Sequence, residues 1–199
     1  MGAVLANDFE IIERMAATPT TSIPLGFEAP GFSLPDASTG QIMSSQELFA
    51  GGPTVVVFMC NHCPFVIHVL DAFVALAAEY GERGVNVVAI SSNDVVNYPQ
   101  DDVPWMKELA DSHRFSFPYL YDETQEVARA YDAACTPDFS VFDAERKCVY
   151  RGQMDGSRPG NDVPVSGSDL RRVLDLLLAG QPVPAEGQVP SLGCNIKWR

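Results

Sequence analysis

The segment that most constrains the chain is a near-continuous apolar run, Thr54-Val55-Val56-Val57-Phe58-Met59, leading directly into Cys60-Asn61-His62-Cys63-Pro64. A short run rich in β-branched residues, opened by Pro53, predicts a strand buried on both faces. Pro64 suits the first position of a helix. Phe65, Val66, Val69, Leu70, Phe73, Leu76 and Ala77 then recur at helical spacing, with His68, Asp71, Ala75 and Glu79 on the other side. The two cysteines thus fall at the joint between a buried strand and a helix.

That location carries chemistry. A helix N-terminus presents unpaired N–H groups and about half a positive charge. Both favour a thiolate, and a thiol of pKa about 8.5 can fall to roughly 3.5–7.5 there. With two residues between them, the thiols can close a small disulfide ring. The expectation is a thiol–disulfide oxidoreductase in which Cys60 attacks a substrate disulfide and Cys63 resolves the mixed disulfide. His62, between them, is placed to stabilise the Cys60 thiolate and make the disulfide more oxidising. A zinc site would need about four ligands, usually from a second pair at regular spacing. No second Cys-x-x-Cys and no phosphate-binding glycine loop is present, so no metal or cofactor is expected.

Downstream, residues 85–90 predict a second buried strand, and Pro104 opens a helix to about His113. Residues 117–120 read as a short strand or loop, and 123–131 as a helix. Strands at 139–142 and 148–151 flank a turn at 143–147. A last helix spans 168–179, with Ser168 as its N-cap. Upstream, there is helical character at 10–16 and one helical turn at 44–49. Alternation in the first half argues for a parallel sheet covered by helices, and the hairpin adds antiparallel strands. Phe65, Phe73 and Trp105 are expected as core or groove aromatics.

A chain of 199 residues suffices for one domain with a full core. Its net charge of -13 argues against nucleic acid or an anionic membrane, because phosphate recognition draws on Lys and Arg. The first twenty residues carry Asp8, Glu10, Glu13 and Arg14, with no basic start and no apolar run, so the cytoplasm is the expected location. Five cysteines, an odd count in a chain of this size, are a poor disulfide framework there and read better as catalytic or core residues.

Cys60-Asn61-His62-Cys63-Pro64 after its leading strand, together with Thr136-Pro137 before the hairpin, resembles the thioredoxin superfamily in its peroxiredoxin-like, AhpC/TSA-type branch. The resemblance implies a thioredoxin-like three-layer α/β/α sandwich with a central mixed sheet. It divides the chain into an N-terminal extension (1–25), the thioredoxin-like domain (26–180) and a C-terminal tail (181–199) packing on or near it. It also implies a cis peptide at Pro137 facing the redox pair, with Thr136 binding a substrate chain in strand-like fashion. Cys135 beside that proline, and Cys194 in the tail motif Ser191-Leu192-Gly193-Cys194-Asn195, are candidate further redox thiols. Cys148 reads as a packing residue.

Departures from the family pattern bear on function. Met59 stands where thioredoxins carry Trp, and the leading strand has no buried acid to serve Cys63. Peroxiredoxins carry Thr three residues before their reactive Cys. Here Val57 precedes Cys60 at that spacing, and Cys60 precedes Cys63. Arg158 is the candidate for the arginine a peroxidase needs beside its thiolate. The alternatives are therefore a thiol peroxidase with antioxidant activity, in which Cys63 attacks peroxide, and a non-catalytic zinc- or partner-binding module. Expected partners are disulfide-containing proteins or small thiols, with the chain a monomer or homodimer.

Overall fold

The computed structural model describes residues 17–21 and 23–199; the helical character expected at 10–16 lies outside them. The leading run forms β4 (Thr54–Phe58), the centre of a five-stranded mixed sheet of order β6-β5-β4-β8-β9. β5 (Asn86–Ser91) and β6 (Tyr119–Tyr121) run parallel to β4, while β8 (Asp138–Phe142) and β9 (Cys148–Gly152) run antiparallel. All five β4 side chains are buried, and they serve two cores by strand alternation. Val55 and Val57 face one core, Val56 and Phe58 the other.

The first core holds α2 (Pro64–Gly81), α3 (Val103–Ser112) and α5 (Ser168–Leu178) against the sheet. α2 buries Phe65, Val66, Val69, Leu70, Phe73, Leu76, Ala77 and Tyr80. Each large side chain there contributes about 1.5–3 kcal/mol of burial, which fixes the helix start beneath the end of β4. By length and composition α2 could cross a membrane, yet one face of it is this core contact. The second core lies under the hairpin of β2 (Ser33–Pro35) and β3 (Ile42–Ser44), with α1 (Ser45–Leu48) and α4 (Glu126–Ala130). Helices on both faces of a central mixed sheet make the expected three-layer, thioredoxin-like sandwich.

Several local expectations change. Ser168 is the first residue of α5 rather than its cap; the cap position is Gly167 at φ +68°, and the Asp155 carboxylate accepts from the N–H groups of Ser166 and Gly167. The helix expected at 123–131 shortens to α4, because Gln125 turns at φ +64° and its amide donates to the carbonyls of Ser92 and Lys197. Of the two placements expected for Trp105, core or groove, it takes the groove, at 54% exposure.

The largest difference is a second sheet. The Pro- and Gly-rich tail contains β10 (Leu192–Asn195), which lies between β1 (Ala17–Pro19) and β7 (Cys135–Thr136). Both pairings are antiparallel, with Ala17 opposite Cys194 and Cys194 opposite Thr136. The tail is thus a strand of the fold, laid along the segment that faces the cysteine pair.

Candidate active site

Cys60 follows the end of β4, and Cys63 is the N-cap of α2, so the reactive motif bridges two rigid elements. The Thr136–Pro137 peptide is cis, as the resemblance implied, and Thr136 contacts both sulfurs. The Thr136 hydroxyl lies 3.6 Å from Cys60 Sγ, and the Cys63 thiol donates to the Thr136 carbonyl at 3.1 Å. Both cysteines are buried, at 1% and 0% exposure.

The electrostatics distinguish the two thiols. Burial pushes the Cys63 thiol up, but hydrogen bonds from the Cys194 and Cys60 thiols, from Thr136 and from the Cys194 backbone N–H outweigh it and hold Cys63 well below the ordinary thiol range. Cys60 is raised, first because its proton is held by Cys63, then by burial and by the negative charge of Asp101; the Thr136 hydroxyl opposes this. Cys63 is the capping residue of the helix, yet its side chain takes no hydrogen bond from the first turn, so the groups that lower it come from Cys194, Cys60 and Thr136. The carbonyl of Thr136 can only accept, so it gives the Cys63 proton a resting place when that thiol is neutral.

His62 lies beside the pair but is engaged elsewhere. Its Nδ1 is 2.7 Å from an Asp101 carboxylate oxygen, a contact too poorly aligned to satisfy that nitrogen as a hydrogen bond. Its ring stacks on Tyr98 at 5.7 Å and 5°. Asp101 is fully buried, accepts the Asn61 N–H at 2.9 Å and the Asn93 amide at 2.8 Å, and so holds the loop of the motif from below. It supplies the buried acid absent from the leading strand, placed beside Cys60 and His62 rather than Cys63. The Tyr119 hydroxyl donates to the Asn61 side chain at 3.1 Å, fixing the same loop. An open groove bordered by Asn61, His62, Trp105 and Leu109 runs alongside. Asp101, Asn93 and Trp105 were not nominated from sequence as site residues.

Donor atoms of Cys60, His62 and Asp101 lie within 4.8 Å of one another. They form a weak metal cage. Both Asp101 oxygens already have partners, and a zinc site would need a further ligand.

The remaining candidates separate cleanly. Cys194 joins the same apolar cluster as Cys60 and Cys63. It does so from a paired strand, not from the flexible tail that would have to fold back to reach the pair. Cys135 neighbours Thr136 on β7 and so points the other way, where burial and Asp138 push its thiol up and its Sγ meets the Pro137 carbonyl at 3.7 Å. Cys148 packs in the second core and is pushed up to about 12 by burial. Arg158 spends its guanidinium on the carbonyls of Asp155 and Ser157 and on Gln153, so its hydrogen bonds go to neither Cys60 nor Cys63. The pairing edge of β7 beside Thr136, where a substrate chain was expected, is taken by β10.

Comparison with known proteins agrees with this fold. The closely similar solved structures include an uncharacterized conserved protein from Geobacillus kaustophilus, 52% identical, with a TM-score of 0.91 over 93% of this chain and 97% of that one. A hypothetical protein from Sinorhizobium meliloti 1021 is 44% identical, with a TM-score of 0.89 over 92% and 98%. Peroxidoxin BcpB from Mycobacterium tuberculosis shares the fold at 23% identity and a TM-score of 0.60 over 79% and 98%. A comparison with curated proteins gives no match. The AhpC/TSA family matches residues 25–151, a span running from before β2 to β9 and including Cys60, Cys63 and the cis-proline. A match over well over half of the sequence means that the chain belongs to the AhpC/TSA family.

Proposed function

We propose that this protein is a thiol–disulfide oxidoreductase in which Cys60 and Cys63 alternate between dithiol and disulfide. The observation that carries this reading is Thr136, whose hydroxyl can donate to Cys60 while its carbonyl accepts from Cys63. The ionised pair holds one proton with two placements. At rest Cys63 carries the charge and Cys60 donates to it. When the proton passes to Cys63, it settles against the Thr136 carbonyl and leaves a Cys60 thiolate facing the Thr136 hydroxyl. Cys60 then attacks a substrate disulfide, one substrate thiol leaves, and Cys63 attacks Cys60 Sγ of the mixed disulfide to release the second. His62 and Asp101 hold the motif loop and set the charge beside Cys60.

The test is reduction of oxidised glutathione or insulin by the pre-reduced protein. Cys60→Ser is expected to abolish turnover, and Cys63→Ser to stall with substrate bound to Cys60. Turnover surviving in Cys60→Ser rejects the scheme. The low-pKa position of Cys63 at the helix N-terminus also favours a second reading, peroxide reduction with Cys63 as the attacking sulfur. That reading expects rapid peroxide consumption lost in Cys63→Ser and kept in Cys60→Ser. The physiological client of either activity is a disulfide-containing protein or small thiol.

A further inference from the structure

Three thiols, not two, meet at this site. Cys194 is 2% exposed and packs in the apolar cluster that contains Cys60 and Cys63, whereas Cys148 lies in the opposite core and Cys135 in neither. Register places Cys194 directly opposite Thr136, the residue whose carbonyl is 3.1 Å from Cys63 Sγ. The strand is pressed close there: a Cβ built on Gly193 would sit 2.0 Å from the Thr136 carbonyl oxygen, so only glycine allows this approach. Cys194 is close enough to Cys63 for its thiol and its backbone N–H both to favour the Cys63 thiolate. The strand is also fastened beyond Cys194. Lys197 N–H donates to the Asn93 side chain, and Asp94 N–H to the Lys197 carbonyl, both at 2.8 Å.

We propose that Cys194 is a third redox thiol, which exchanges with the Cys60–Cys63 disulfide by attacking Cys63. This rests on the thiol–disulfide reading above. A new Cys63–Cys194 bond forms as the Cys60–Cys63 bond breaks. Cys60 leaves as a thiolate and takes the proton that Cys194 gave up. Two electrons move within the cluster and none enters or leaves, so the step needs no outside oxidant. The state of the site favours it in one direction. In the dithiol protein the hydrogen bond to Cys63, ahead of burial, is the first cause that keeps the Cys194 proton in place, and forming the Cys60–Cys63 disulfide removes the thiolate that accepts it. The exchange returns Cys60 to its free form and ties the tail strand covalently to the start of α2.

The experiment is disulfide mapping of the full-length protein after treatment with oxidised glutathione, acid quenching, alkylation of free thiols and tryptic digestion. Cys60 and Cys63 have no Lys or Arg between them, whereas Cys194 lies on a separate peptide ending at Lys197. A Cys63–Cys194 bond therefore appears as a cross-linked peptide pair carrying one alkylated cysteine. The expected result is this pair beside Cys60–Cys63 in the wild type, and as the main disulfide in Cys60→Ser. Cys194→Ala is expected to leave Cys60–Cys63 alone. A wild type that forms Cys60–Cys63 while Cys194 stays fully alkylated, with no cross-link in Cys60→Ser, overturns the inference and leaves the two-cysteine function standing. A wild type that forms no disulfide at all removes both. The wild-type arm decides the matter even where a variant fails to fold.

Discussion

Thr136 sets the division of labour between the two sulfurs with one hydroxyl and one carbonyl. Thr136→Val keeps the shape and deletes the hydroxyl that favours the thiolate on both Cys60 and Cys63. The pH–rate profile for disulfide reduction is then expected to move upward by about one unit, with rates near neutrality about tenfold lower. An unmoved profile would show that the hydroxyl does not serve the thiolate. His62→Ala is expected to make the Cys60–Cys63 disulfide more reducing, by on the order of 30 mV in a glutathione titration, because the imidazole beside Cys60 and Asp101 is lost. A higher potential would give His62 the opposite role. The cysteine pair was legible in sequence because strand, Cys-x-x-Cys and helix are contiguous and the chemistry follows from local geometry. Asp101 was not. It reaches Asn61 across 40 residues from a short turn that reads as an ordinary loop, and periodicity carries no record of which loop carboxylate closes on which motif. The surroundings of Cys63 were hidden for a related reason. Spacing shows that a helix begins after the motif, but only the fold shows that four hydrogen-bond donors converge on its second cysteine.

At the level of elements, β10 is the strand that packs Cys194 against the cysteine pair, and it takes one edge of β7. Its weak point is Gly193. In Gly193→Ala the added methyl meets backbone, not a yielding side chain, so β10 must lift from β7. The expected loss is on the order of 1–3 kcal/mol in thermal or chemical unfolding. It should come with faster alkylation of Cys60 and Cys63 in the folded protein. A variant as stable and as well protected as the wild type would mean that the strand is not what shields the pair. β4 and α2 were readable as elements because each carries its own hydrophobic period over a long run. β10 has no such run: four residues in a Pro- and Gly-rich stretch acquire strand structure only from partners at the two distant segments, β1 and β7. α4 and the α5 cap were misread in a similar way, since Gln125 and Asp155 are engaged by residues far along the chain or outside the helix.

For the molecule as a whole, the buried thiols make stability sensitive to alkaline pH. Cys60 and Cys194 hold their protons through the Cys63 contact, and Cys135 and Cys148 through burial, so all four are raised in the fold. Above the unfolded thiol pKa of about 8.5 the native state binds more protons than the unfolded state, and stability falls as pH rises. Cys63 works in the other sense: its lowered value stabilises the fold fully above that pH and loses this as pH drops toward its native pKa. The reduced protein should thus lose stability above about pH 8.5, by about 1.4 kcal/mol per pH unit for each thiol that is protonated in the fold alone. A flat unfolding midpoint across that range would contradict the burial of these groups. The sheet that joins Ala17 to Cys194 has one more consequence, in the order of events during synthesis. Contacts between remote segments form late, and a chain leaving the ribosome presents its N-terminal part first. The domain can lay β4 against α2, with Cys60 and Cys63 already side by side, while residues 192–195 are still to be made. Each newly made molecule therefore passes through an interval in which its reactive pair stands uncovered, and the last strand to arrive ends it.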